Sequence, residues 1–191
     1  MFSSLFLRNV GALLNSRYYP LVNPELDVRY RLPLKDLKKL RVLNVGIGSG
    51  YSALARQLPF IGFGDLTMID VYQPYIDDAK MKTWDADEVH FILSDVRDFD
   101  VSQFDIVLMF DVLEHLPKED SLAVLSKIKG KAVVFGPLEK VYRENTFEVS
   151  SQDHLSIWTE EDFKELGFKT ELLKNFHREG NEIFDALWAI K

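Results

Sequence analysis

Three glycines at alternate positions, Gly46, Gly48 and Gly50, follow directly on the apolar run Val42, Leu43 and Val45. An apolar, partly β-branched run of this kind suits a strand covered on both faces. Glycines lack Cβ atoms, so the turn after the strand can use positive φ and lets a ligand approach the backbone closely. Ala53, Leu54 and Leu58 continue with helical spacing, and Pro59 ends the run. Strand, glycine turn and helix N-terminus together form a cradle for a nucleotide-like cofactor.

The chain has 191 residues, which is most simply one domain. A chain of that size buries roughly 70% of its unfolded surface, so it can build a full core without staples. It has no cysteine, hence no disulfide and no thiolate chemistry, which fits a reducing, cytoplasmic setting. No apolar run approaches the ~18 residues that span a bilayer. Met1–Arg8 lacks a basic leader and a small-residue cleavage site, so it does not read as a signal peptide. The net charge is −7, which argues against a duplex DNA binder. Residues 1–41 hold eight basic and three acidic side chains, or +5, leaving −12 for the remainder. Residues 1–40 are expected to form a basic, partly helical arm or lid, and residues 41–191 the cofactor-binding domain.

Beyond the glycine turn, strands are expected at Leu66–Ile69, Val89–Leu93, Phe104–Phe110 and Lys131–Phe135. The second strand ends at Asp70, the third at Ser94-Asp95, the fourth at Asp111 and the fifth at Gly136-Pro137. A short helix is expected over 74–83. A second follows Leu116-Pro117, with Leu122, Leu125 and Ile128 on one face, and stops at Gly130. Residues 138–156 are irregular and polar, as befits a substrate-facing loop. Thr159-Glu-Glu-Asp162 has capping-box spacing, which starts a helix that ends before Gly167. Phe168–Phe176 and Ile183–Ile190 read as a closing hairpin around Arg178–Asn181, with the last strand antiparallel. The alternation implies an α/β fold, a parallel sheet with helices on both faces. Ligands bind such sheets at the carboxyl ends of the strands, so Asp70, Asp95 and Asp111 should share one rim with the glycine turn.

Asp70 stands 24 residues after Gly46. There it can accept hydrogen bonds from both hydroxyls of an adenosine ribose. Asp95 can accept from the adenine amino group, while Val96 offers its N–H to a ring nitrogen. Tyr51 is placed to touch the cofactor. His90, His177, Trp158 and Trp188 read as structural.

Val42–Gly50, Met68–Asp70, Leu93–Val96 and Phe104–His115 resemble, in order and spacing, the motifs of class I S-adenosylmethionine-dependent methyltransferases. The resemblance covers roughly residues 40–191. It implies a Rossmann-like, doubly wound seven-stranded sheet of order 3-2-1-4-5-7-6. It also implies methyl transfer from S-adenosylmethionine, with Asn44, Gly46, Gly48, Gly50, Tyr51, Asp70, Val71, Asp95, Val96, Phe110 and Asp111 around the donor. Asn44 departs from the family pattern, which has an acid two residues before the first glycine. An amide brings no charge to offset the donor's sulfonium and amino groups.

Phe110-Asp-Val-Leu-Glu-His115 would lie where donor meets acceptor, and Asp153–Thr159 resembles the matching segment of small-molecule O-methyltransferases. The expected reaction is therefore O-methylation of a small molecule, with Asp111, His115 and His154 as the catalytic residues. A histidine suits general base work at neutral pH. No metal is assigned on this reading. Some relatives hold a divalent ion on an acid-x-x-Glu-His set plus a later His, which here would be Asp111, Glu114, His115 and His154. A nicotinamide oxidoreductase is the alternative from another class, since Gly48–Ala53 fits G-x-G-x-x-A. An RNA methyltransferase using the basic arm and a non-catalytic binding relative are further alternatives. The expected partner is a small molecule, with no duplex DNA and no membrane; oligomeric state is left open.

Overall fold

The computed structural model describes residues 38–48, 58–60, 63–82, 89–138, 152–179 and 182–191. These residues build one sheet of seven strands: β1 (Arg41–Val45), β2 (Asp65–Asp70), β3 (Val89–Leu93), β4 (Ile106–Phe110), β5 (Lys131–Leu138), β6 (Lys169–Glu179) and β7 (Glu182–Ile190). Their order is β3-β2-β1-β4-β5-β7-β6, as expected. β1 runs parallel to both its neighbours, Val42 lying opposite Leu66 on one side and Ile106 on the other. β7 is antiparallel to β5 and to β6.

Successive side chains of a strand point to opposite faces, and here both faces are apolar. Val42, Leu66, Met68, Ile106 and Leu108 pack with Ile76 and Ala79 of α1 (Gln73–Lys82) on one side. Leu43, Val45, Ile69, Val107 and Met109 pack on the other. They meet Val124 of α2 (Lys118–Lys127) and Phe163 of α3 (Glu160–Glu165) there. The helices thus lie on both faces, and the sheet is doubly wound. Trp158 and Trp188 are buried in these two cores. His90 lies exposed on the edge strand β3, with Nε2 3.8 Å from Asp65.

Two expectations change in detail. The buried face of α2 is Ser121 and Val124, with Leu125 and Ile128 packed alongside, while Leu122 is 38% exposed. Positions 121, 124, 125 and 128 follow the i, i+3, i+4, i+7 pattern, and Leu122 falls about 100° off that stripe. The fifth strand does not end at Gly136-Pro137 but runs to Leu138, because β7 continues to pair with it after its pairing with β4 has stopped at Phe135, opposite Phe110. Proline is tolerated at such a half-paired strand end.

The capping box forms as expected. Thr159 Oγ1 accepts from the Asp162 N–H, and the Asp162 carboxylate accepts from the Thr159 N–H. Gly167 then closes α3 at φ +82°. The strands of the hairpin extend to Glu179 and from Glu182. The pairing slips between Leu173 and His177, where Asn175 takes φ +53° and its N–H donates to Asp185 Oδ1. The arm at residues 1–37, the helix after the glycine turn and the loop at 139–151 lie outside the described residues. No helix among the described residues is long and apolar enough to cross a membrane.

The α2 assignment predicts that Val124→Ala costs about 1–3 kcal/mol, because two buried methyl groups are lost and a cavity is left. Leu122→Ala should cost less than about 1 kcal/mol. Urea unfolding midpoints of the two variants check this; equal losses would return Leu122 to the core.

Candidate active site

The site is built from the exits of β1, β2, β3 and β4. Gly46 and Gly48 both take left-handed conformations, at φ +76° and +68°. A Cβ on Gly46 would come within 2.7 Å of Val112 Cγ2, so the turn and the exit of β4 approach closely only because the residue is glycine. A Cβ on Gly48 would meet nothing within 4 Å, leaving the backbone open on that side. Gly50 and Tyr51 lie outside the described residues.

Asp70 ends β2 and is buried. Its Oδ2 accepts from the Ile47 N–H at 2.8 Å and the Gly48 N–H at 3.0 Å, and its Oδ1 from the Tyr72 N–H at 2.9 Å. A carboxylate has about four acceptor sites, so among the described residues Asp70 keeps one, on Oδ1. It holds the glycine turn first and has room for one hydroxyl rather than two. Val71, beside it, is 49% exposed and gives the rim an apolar surface.

Asn44 is 1% exposed, and its Nδ2 donates to the Gly46 carbonyl at 3.1 Å. An ionised acid has no proton to give. The departure from the family pattern therefore has a structural use: the amide closes the glycine turn from within. Asp95 carries three hydrogen bonds from Arg97, and Val96 is buried with its N–H unbonded among the described residues.

Beyond β4 the chain makes a tight turn, Leu113–His115. Asp111 enters it at φ +52°, with its N–H bonded to the Phe135 carbonyl at 2.8 Å. Left-handed backbone at a non-glycine residue is uncommon and clusters at functional sites. Part of Asp111 meets solvent, but the surrounding protein mass pushes its carboxyl up to about 7, against the opposing pull of His154. Phe110 packs edge-on against Trp188, with ring centroids 5.6 Å apart.

A segment far along the chain is stapled to this turn. The Glu114 carbonyl accepts from the N–H groups of Leu155 and Ser156, and the Leu113 carbonyl accepts from Ser156 Oγ. Lys118 Nζ donates to the Ile157 carbonyl and pairs with Asp162. This brings His154 against His115, with ring centroids 4.8 Å apart and planes at 69°. His115 Nδ1 lies 3.1 Å from the Asp153 carbonyl. A carbonyl only accepts, so Nδ1 carries the proton and Nε2 is left as the basic nitrogen.

Glu114, His115 and His154 place one ligand atom each within 4.8 Å of one another; Asp111, expected among them, is not part of this group. Bonds of ~2.0–2.2 Å imply ligand atoms about 3–3.5 Å apart around one ion, so the three side chains would close in slightly on a metal. A carboxylate and two imidazoles are a suitable donor set, and the His115–Asp153 contact is the outer hydrogen bond that orients a ligating histidine. Glu114 is buried against Gly136, where a Cβ would stand 3.3 Å from its Oε2. Arg97, Gly136, Asp153 and Ser156 are the contributors that sequence reasoning missed. A cavity of about 670 Å³ bounded by Arg41, Asp65, Thr67, Lys80 and His90 lies away from all of these groups.

Residues 42–131 match the family model described as a methyltransferase domain. The sheet order is that of the Rossmann-like methyltransferase fold. The N-terminal domain of EvdMO1 with S-adenosylhomocysteine bound is similar over 94% of this chain and 82% of its own, at 18% identity and TM-score 0.59. The N-methyltransferase NodS from Bradyrhizobium japonicum WM9, in complex with S-adenosylhomocysteine, is similar over 97% and 96%, at 16% identity and TM-score 0.55. The carbon methyltransferase CurJ is similar over 78% of this chain, which spans 48% of CurJ, at 15% identity and TM-score 0.54. At these identities the likeness is one of fold. No curated protein matches the chain.

The Asn44 contact predicts that Asn44→Asp sets a carboxylate against the Gly46 carbonyl in a buried position, at a cost of about 1–3 kcal/mol or more. The loss should shrink at acid pH, where the protonated acid can donate. Urea melts at pH 5 and pH 7.5 check both; an unchanged midpoint at pH 7.5 would refute the contact's role.

Proposed function

We propose that the protein transfers the methyl group of S-adenosylmethionine to an oxygen of a small-molecule acceptor. The observation that carries this reading is the pair of histidines seated beyond β4, just after the point where Val112 packs against the glycine turn. The donor would lie on that turn, its ribose on Asp70, its adenine towards Val71, Asp95 and Val96, and its reactive end towards Phe110 and Asp111. The acceptor oxygen attacks the methyl carbon, the carbon–sulfur bond breaks, and the donor leaves as the neutral thioether. The acceptor's proton goes to His115 Nε2 or His154. Holding oxygen and methyl in line can supply on the order of 7–11 kcal/mol of the barrier. The rigid stapling of the histidine segment supports that role.

The cluster of Glu114, His115 and His154 favours a second reading, in which these three hold a divalent ion. Such an ion would lower the acceptor hydroxyl's pKa and fix its position. Protein residues would still orient the acceptor and exclude water. The glycine turn starting at Gly46 and the methyltransferase match both weigh against the oxidoreductase. The acidic balance of residues 42–191 weighs against an RNA substrate, and the intact turn against a merely non-catalytic relative.

Calorimetric titration with S-adenosylhomocysteine, with NAD⁺ in parallel, should give micromolar affinity for the former alone. Asp70→Ala should weaken that binding more than tenfold, and unchanged affinity would remove Asp70 from the donor site. In an acceptor screen, His154→Ala should lower kcat at least about tenfold while the dissociation constant of S-adenosylhomocysteine changes less than threefold. A fully active variant would exclude His154 from the chemistry. EDTA should leave turnover intact on the first reading; loss restored by a divalent ion selects the second.

A further inference from the structure

We propose that Arg97 is a positioning residue that acts through Asp95 to make the donor site select an adenine amino group over an oxo group. The inference rests on the methyl-donor reading above. Asp95 lies two residues beyond the end of β3, and Arg97 grips it three times. The Arg97 N–H donates to Oδ1 at 2.9 Å, Nε to Oδ1 at 3.0 Å, and Nη2 to Oδ2 at 2.6 Å. The guanidinium is anchored on its far side by α2, where Nη1 donates to Asp120 Oδ2 at 3.2 Å. Lys127 Nζ, from the same helix, donates to the Arg97 carbonyl at 3.2 Å.

A planar guanidinium fork fixes both the position and the plane of a carboxylate. Among the described residues, three of the four acceptor sites of Asp95 are filled, and the one that remains is on Oδ2. The hydrogen bond from the Arg97 side chain holds the Asp95 carboxyl below the usual carboxylate range, so it carries no proton of its own to donate. What it offers a ligand is one fixed acceptor beside the unbonded Val96 N–H. An exocyclic amine next to a ring nitrogen acceptor complements that pair. An oxo group next to a ring N–H opposes both members. Discrimination of this kind comes as much from the repulsive partner as from the attractive one.

The competing account is that Arg97 only staples the loop to α2. Exposed ion pairs contribute little stability, and Arg97 is 48% exposed. The two accounts separate by ligand. Dissociation constants are measured for S-adenosylhomocysteine and its hypoxanthine counterpart with the wild type, Arg97→Met and Arg97→Lys. The wild type should prefer the adenine ligand at least about tenfold. Arg97→Met should lower that preference at least about threefold, mainly by weakening the adenine ligand. Arg97→Lys, which keeps the charge without the fork, should fall between. If the wild type binds neither ligand, the donor reading itself fails. If Arg97→Met weakens both ligands equally, or neither, Arg97 is a staple and the proposal is overturned.

Discussion

The carboxylate of Asp70 joins the exits of two strands at one point. Positive φ at Gly46 and Gly48 turns the N–H groups of Ile47 and Gly48 inward, and Asp70 Oδ2 accepts both. Those donors lie 22 and 23 residues away in the chain. The Gly46 N–H adds a bond to the Ile69 carbonyl, and Asn44 takes the Gly46 carbonyl from the other side. Gly46–Gly48, the described part of the turn, is thus tied down by groups of β1 and β2. Buried backbone polar groups need such partners. The exit of β4 then packs against it, Val112 occupying the space a side chain at position 46 would need.

A second junction lies beyond β4. Backbone carbonyls of Leu113 and Glu114 receive the segment at Leu155–Ser156, about 40 residues further on. Ser156 Oγ also accepts from Trp158 Nε1, which links the junction to the core. These contacts are what place Asp153 and His154 on His115. A histidine whose Nδ1–H is committed to a carbonyl presents Nε2 in one orientation, which serves a base and a metal ligand alike. Positioning of this kind lowers a barrier because the ordering entropy has already been lost on folding.

Much of this was legible in the residues because it follows from local periodicity. The runs that lead to Asp70, Asp95 and Asp111 became parallel strands with those acids at their exits, although the fourth begins at Ile106 rather than Phe104. Thr159 and Asp162 made their box, and Gly167 closed α3. What escaped reading depends on partners that only the tertiary fold supplies. Leu122 looks like a core residue by type, but the helix turns Ser121 and Val124 inward instead. Gly136-Pro137 looks like a stop, yet β7 is long enough to carry the strand past it. Asp70 and Asp95 were expected on the rim and stand there, but their oxygens are largely engaged by backbone N–H groups and by Arg97. The Asp153 carbonyl could not have been foreseen, since a backbone acceptor leaves no mark in side-chain identity.

Asn44 shows how one substitution can serve two ends. On the donor reading, the sulfonium is positive before transfer and neutral after it. A fixed negative charge beside it would stabilise the bound donor more than the transition state, in which that charge is already dispersing. Interactions stronger in the ground state tighten binding without raising kcat. An uncharged residue at position 44 therefore sacrifices affinity for the donor rather than rate. In exchange the amide supplies what a carboxylate lacks, a proton for the Gly46 carbonyl in a site that water does not reach.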